Sequence, residues 1–253
     1  MKNLTLDRLR GSLLRCLLMM NFPRHHTAEL LTSLMQLPNA VISSDSDFWM
    51  PRGLRDYRET TLVDSSDFLT PDRCKALTDW WLEKLRGANL PNWDIASTCT
   101  IEGIKGLLLV EAKAHDKELS EAGKSQPTTS NSQMNHKHIG IAIEQANAGL
   151  NGVMKGWALS RDSHYQLSNR FAWAWKLTTL GVPVVLVYLG FLNAIEMCDQ
   201  GQPFDNNRAW DSCIRNHAKN IVPDDAWGKR LETNGTPVWF LIRSVQLELN
   251  KVD

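Results

Sequence analysis

Trp93-Asp94-Ile95-Ala96-Ser97-Thr98-Cys99-Thr100-Ile101, then Glu102-Gly103, then Leu107-Leu108-Leu109-Val110-Glu111-Ala112-Lys113-Ala114-His115 is the stretch that decides the fold. Leu107 to Val110 is unbroken hydrocarbon, the pattern of a strand covered on both faces. Such a strand ends in a carboxylate and an ammonium only where each other, water or a bound group satisfies them. Glu111 and Lys113 are two residues apart, so they share one face of a strand. With Glu102-Gly103 at the tip of a two-residue hairpin, Asp94 falls opposite Glu111. Two carboxylates and a lysine then converge on one patch of sheet.

Two carboxylates at one spot repel, and a hard divalent cation relieves the repulsion. Magnesium keeps several waters and is held by one or two carboxylates plus substrate phosphate. A metal-bound water is more acidic than bulk water, and an adjacent lysine can orient it or offset charge on a phosphate. Asp, Glu and Lys are therefore a minimal set for hydrolysing a phosphodiester. A solvated strand end with a Glu-Lys pair would give the same triplet, and such triplets are common. Two facts favour the chemistry: this is the only [Asp/Glu]-x-Lys triplet in the chain, and it closes an apolar strand that follows an Asp-led one.

Taken together, Asp94 and Glu111-Ala112-Lys113 resemble the PD-(D/E)xK nuclease superfamily, whose fold is restriction-endonuclease-like. The order Val110-Glu111-Ala112-Lys113-Ala114-His115, His164-Tyr165-Gln166-Leu167-Ser168-Asn169-Arg170 and Gly181 through Tyr188 is similar to a widespread bacterial group of that superfamily. The likeness spans residues 70–245. It departs from the pattern in one place, because Trp93 precedes Asp94 and Pro91 lies three residues before it. The resemblance implies an α/β core over 70–253, a central mixed sheet flanked by helices, with 1–69 as a helical N-terminal extension. It implies catalytic Asp94, Glu111 and Lys113. Magnesium or manganese would be held by Asp94, Glu111 and the backbone carbonyl of Ala112. Glu83, on the helix before the Asp strand, stands where the superfamily often has an extra acidic ligand, although an exposed helix glutamate is the commoner reading. Tyr165, Gln166, Asn169, Arg170 and His115 would bind substrate or support the site. The implied partner is nucleic acid, DNA first, with no membrane, and a homodimer is allowed. The rival reading is a non-catalytic binding module that keeps the fold.

Composition sets outer bounds. A chain of 253 residues holds one large domain or two small ones. Hydrophobic content of 43% with 22% charged residues is that of a soluble globular protein. Lys+Arg and Asp+Glu are both 28, so no overall basic field exists, although a local groove would serve an enzyme. Cys16, Cys74, Cys99, Cys198 and Cys213 are odd in number and include no CxxC, as expected of reduced thiols in a cytoplasmic chain. Arg8, Arg10 and Arg15 interrupt the apolar residues of 1–20, which suits an amphipathic helix better than a signal peptide. No apolar run approaches a membrane span. Ten tryptophans point to a large aromatic core.

Around the hairpin, periodicity predicts helices over 4–20 and 27–37, while 40–70 shows no period. Thr70-Pro71-Asp72 opens a helix that runs to about Arg86, stops at Gly87 and packs through Leu77, Trp80, Trp81 and Leu85. The polar stretch 118–135 reads as a mobile loop beside the site. Helices are expected over 136–150 and 165–180. The second places Gln166, Asn169 and Arg170 on one face, as donors suited to phosphate or to catalytic carboxylates. Strands are expected at 184–189 and 237–247, with loops and a short helix at 210–216 between them.

Overall fold

The computed structural model describes residues 9–37, 39–85 and 90–249. In chain order the helices are α1 (Gly11–Met19), α2 (Arg24–Met35), α3 (Pro71–Trp81), α4 (Ser130–Val153), α5 (Tyr165–Thr179) and α6 (Asn207–His217). The strands are β1 (Ala40–Val41), β2 (Trp49–Met50), β3 (Ile95–Ile101), β4 (Ile104–Lys113), β5 (Val184–Leu192), β6 (Arg230–Thr233) and β7 (Thr236–Gln246). They form one mixed sheet in the order β1-β3-β4-β5-β7-β6, with β2 also paired to β3. The β3–β4 and β6–β7 pairs are antiparallel, whereas β4, β5 and β7 run parallel.

The β3–β4 hairpin turns at Glu102-Gly103 as the sequence predicts. Glu102 at φ 50° and Gly103 at φ 80° both occupy the left-handed region that a tight two-residue turn requires. Pairing runs from Ile101 opposite Ile104 down to Ile95 opposite Val110. The next pair in that register is Asp94 and Glu111, with Asp94 one residue outside β3.

Alternation along β4 separates the two sides of the sheet. Leu107 and Leu109 belong to a core built with Leu77 and Trp81 of α3, Ile139 and Ile143 of α4, Phe171 and Trp173 of α5, and Trp210 of α6. Leu108, Val110, Ala112 and Ala114 face a second core with Cys16 and Met19 of α1 and Leu31 and Leu34 of α2. Helices thus cover both faces, which is why β5 is buried along its whole length. Glu111 and Lys113 continue the row of Leu107 and Leu109 and point to the α5 side. Among the described residues eight of the ten tryptophans are buried, so the aromatic content is core.

Several expectations shift, each for a physical reason. Residues 4–8 of the first expected helix lie outside the described residues, and α1 itself begins at Gly11. Residues 40–70, which lacked periodicity, supply β1 and β2, two residues each and too short to show any. Helix α3 has Pro71 in its first turn, but Thr70 makes no side-chain cap bond. It stops at Trp81 because Leu82 is extended, so Leu85 is 75% exposed instead of packed. The expected end at Arg86-Gly87 lies outside the described residues. Helix α4 starts six residues early: Thr129 and Ser132 form a reciprocal capping box, which turns the expected loop into a helix start. Strand β6 was unforeseen, though Asn234 (φ 51°) and Gly235 (φ 74°) are a strong hairpin pair. Among the described residues no helix is long and apolar enough to cross a membrane.

The β5–α6 contact has no spare room at Gly190, where an added Cβ would lie 2.5 Å from the Trp210 ring. Gly190→Ala should cost roughly 1–3 kcal/mol. Gly152→Ala, whose Cβ would meet nothing within 4 Å, should be neutral or mildly stabilising. Urea denaturation of both variants checks this, and equal stability would contradict the packing of α6 on the sheet.

Candidate active site

Glu111 is 2% exposed, with its carboxylate on the α5 side of the sheet. Lys113 Nζ lies 2.5 Å from its Oε1, as expected of two side chains on one strand face. Gln166 Nε2 donates to the same oxygen at 2.7 Å, and Arg170 Nε donates to Oε2 at 2.6 Å. Gln166 and Arg170 are one turn apart on α5, so a single docking of that helix aims both at one carboxylate. Arg170 Nη1 also donates to Asn169 Oδ1 at 3.0 Å, and its guanidinium sits 4.6 Å from the centre of the Trp93 ring. Asp94 Oδ2 accepts from the Ala112 amide at 2.7 Å. Asp94, Glu111, Lys113, Gln166 and Arg170 are therefore brought together.

The two carboxylates differ in electrostatics. Burial alone would raise Glu111, but the Arg170 and Lys113 charges overcome it and hold the group at about 2. Asp94 is pushed up to about 7, first by burial and then by the negative charge of Glu111, against the pull of Lys113 and the Ala112 amide. Lys113 and Arg170 stay above their ordinary values although burial opposes their charge, because Glu111 and Asp94 face them. Glu111 takes most of the available positive charge, and for Asp94 the pull of Lys113 does not offset burial and the negative charge of Glu111.

Both open onto a cleft of about 670 Å³ that also exposes Ala112, Tyr165, Asn169 and Lys124. Tyr165 carries the Lys124 ammonium 4.7 Å above its ring, and burial pushes its phenol up to about 12. Glu59 and Glu118, which sequence reasoning missed, line the same cleft. Glu118 accepts from the Ala114 amide and from Ser12 Oγ, while Glu59 accepts from Asn92 Nδ2 at 3.2 Å. Proximity to the end of β4 was the available signal for Glu118. Glu59 lies in the aperiodic stretch and had none.

Other expected residues fall elsewhere. Glu83 is exposed, 3.3 Å from His138 Nδ1 and 4.0 Å from Lys84, and is not in the lining of the cleft. Because α3 ends at Trp81, Glu83 sits on the irregular segment after the helix, and the expectation of an extra ligand there is withdrawn. His115 is buried behind the cleft, with Nε2 3.9 Å from Glu118. In the segment 119–129, the remainder of the expected mobile loop, Ser120 and Ala122 to Ser125 form a wall of the cleft. Lys124 N–H donates to Arg161 O at 2.8 Å and Tyr165 N–H to Ala122 O at 3.0 Å, which stitches it to the start of α5.

The donor set suits a hard divalent cation: Asp94 and Glu111 lie at the base, beside Ala112, with Glu59 and Glu118 around them. The hydrogen bonds from Lys113, Gln166 and Arg170 leave Glu111 about one of its four lone-pair directions. Comparison of the chain with family models, curated proteins and solved structures found no match.

The raised Asp94 gives a pH test. A carboxyl bound more tightly to its proton in the folded state contributes stability that is full below its ordinary value of 3.8 and is lost as pH rises through about 7. The Glu111 contribution has the opposite sign and fades only as pH falls toward 2, outside this window. Asp94→Asn mimics the protonated form and should gain on wild type by on the order of 1–3 kcal/mol between pH 5 and pH 8. Chemical denaturation at the two pH values measures the gap. A difference independent of pH would contradict a carboxyl raised by its surroundings.

Proposed function

We propose that this chain is a metal-dependent nuclease of the PD-(D/E)xK type, with a restriction-endonuclease-like core, that hydrolyses nucleic-acid phosphodiester bonds, DNA first. The observation that carries the reading is the Asp94, Glu111 and Lys113 set at the end of β4, opening on a solvent-accessible cleft and held by Gln166 and Arg170. A hairpin followed by two parallel strands, β5 and β7, supports the same fold reading.

Asp94 and Glu111, with the Ala112 carbonyl, would hold magnesium or manganese. When bound, such an ion supplies a more acidic water and neutralises phosphate charge. The chain's own residues do the rest. Lys113 brings a positive charge to where negative charge builds on the scissile phosphate. Gln166 and Arg170 fix Glu111, so that its carboxylate does not swing. Lys124, on the wall of the cleft, is placed to meet a backbone phosphate. Asn169 and Tyr165 line the approach, and His115 stands behind Glu118, with Nε2 3.9 Å from its carboxylate.

One observation favours the rival reading of a non-catalytic binding module: the Glu111 carboxylate already receives donors on both oxygens. Cleavage assays separate the two. With magnesium or manganese the purified protein should nick or degrade plasmid or single-stranded DNA. Lys113→Met should lower the rate by about 10²–10³-fold or more while circular dichroism remains native. Undiminished cleavage by that variant would assign the activity to a contaminant or another site. No cleavage of any DNA or RNA form, together with no metal binding, would establish the non-catalytic module.

A further inference from the structure

Glu121, His164 and His217 are far apart in sequence, yet each offers a ligand atom within 4.8 Å of the other two. Three pieces of backbone arrange this. Glu121 lies on the segment that walls the cleft, His164 caps the start of α5, and His217 is the last residue of α6. The first two are tied directly, since the His164 N–H donates to the Glu121 carbonyl at 2.9 Å. His164 adopts φ 46° and ψ 42°, the left-handed conformation, at the N-terminal boundary of α5. Its Nδ1 is shielded from solvent and has no hydrogen-bond partner. The two imidazole rings are 4.9 Å apart between centres.

We propose that Glu121, His164 and His217 form a zinc site, separate from the Asp94–Glu111 pair. Two imidazoles and a carboxylate are the ligand set of a three-protein-ligand zinc centre with water in the fourth position. They match zinc far better than magnesium, which prefers oxygen alone. Ligand atoms around a tetrahedral zinc stand about 3.3–3.5 Å apart. Closing the set from its present spacing requires side-chain rotation, which the exposed Glu121 is free to make. The ion would cross-link the cleft wall, the end of α6 and the start of α5, one residue before Tyr165 and two before Gln166. Ser120 and Ala122, the two neighbours of Glu121, line the cleft, which puts the cluster beside it. The site would therefore brace the helix that aims Gln166 and Arg170 at Glu111.

Cobalt(II) is the spectroscopic probe, titrated into the full chain after chelator treatment. We expect visible absorption bands of four- or five-coordinate cobalt that saturate at one equivalent, apart from any cobalt held by Asp94 and Glu111, and that are removed by zinc and not by excess magnesium. Glu121→Gln, His164→Asn (asparagine tolerates the left-handed backbone) and His217→Ala should each weaken that binding at least tenfold. Asp94→Asn should leave it unchanged, which separates this site from the proposed nuclease centre. Absence of the cobalt spectrum, its survival in the His217→Ala protein, or its loss in the Asp94→Asn protein would each overturn the proposal.

Discussion

The structure depends on a carboxylate placed where hydrocarbon would otherwise sit. Glu111 continues the row of Leu107 and Leu109 on the side of β4 that α5 covers. Taking an ionised carboxylate out of water costs several kcal/mol unless paired charges and hydrogen bonds answer it. The answer comes from Lys113 on the same strand face and from Gln166 and Arg170 one helical turn apart. Each donor imposes a constraint. Helix α5 must dock at one rotation and one height, and Trp93 must lie against the Arg170 guanidinium. Strand β3 must keep the register that brings Asp94 to the Ala112 amide.

That constraint explains what could be read from the sequence. The hairpin register was legible because Glu102-Gly103 is a two-residue turn, which fixes the residues of β3 and β4 that face each other. The shared face of Gln166 and Arg170 was legible from helical spacing alone. Other features were not. Strands β1 and β2 are two residues long, and a period cannot show in two residues. The Thr-Ser run at 128–132 reads as loop by composition, yet Thr129 and Ser132 use their hydroxyls to start α4. Glu59, Glu118 and the Glu121, His164 and His217 group come together only through tertiary contacts between segments with no shared periodicity. Glu83 dropped out because α3 ends earlier than its composition suggests.

A second carboxylate beside Glu111 is what a purely structural ion-pair network does not require. Glu111 alone, held near 2, would satisfy Lys113 and Arg170. Asp94 beside it, pushed to about 7, is an added burden on the fold. Around the cleft Glu59 and Glu118 bring the acidic side chains to four, against Lys113, Lys124 and Arg170. A divalent cation between Asp94 and Glu111 would turn that burden into binding energy, since both carboxylates would then be ionised without mutual repulsion.

An anomalous difference map from crystals soaked in manganese tests this most directly. The account predicts one peak bridging the Asp94 and Glu111 carboxylates, with Glu111 giving up at least one of its present donors. A map with no peak there, and with Glu111 still bound to Lys113, Gln166 and Arg170, would contradict it.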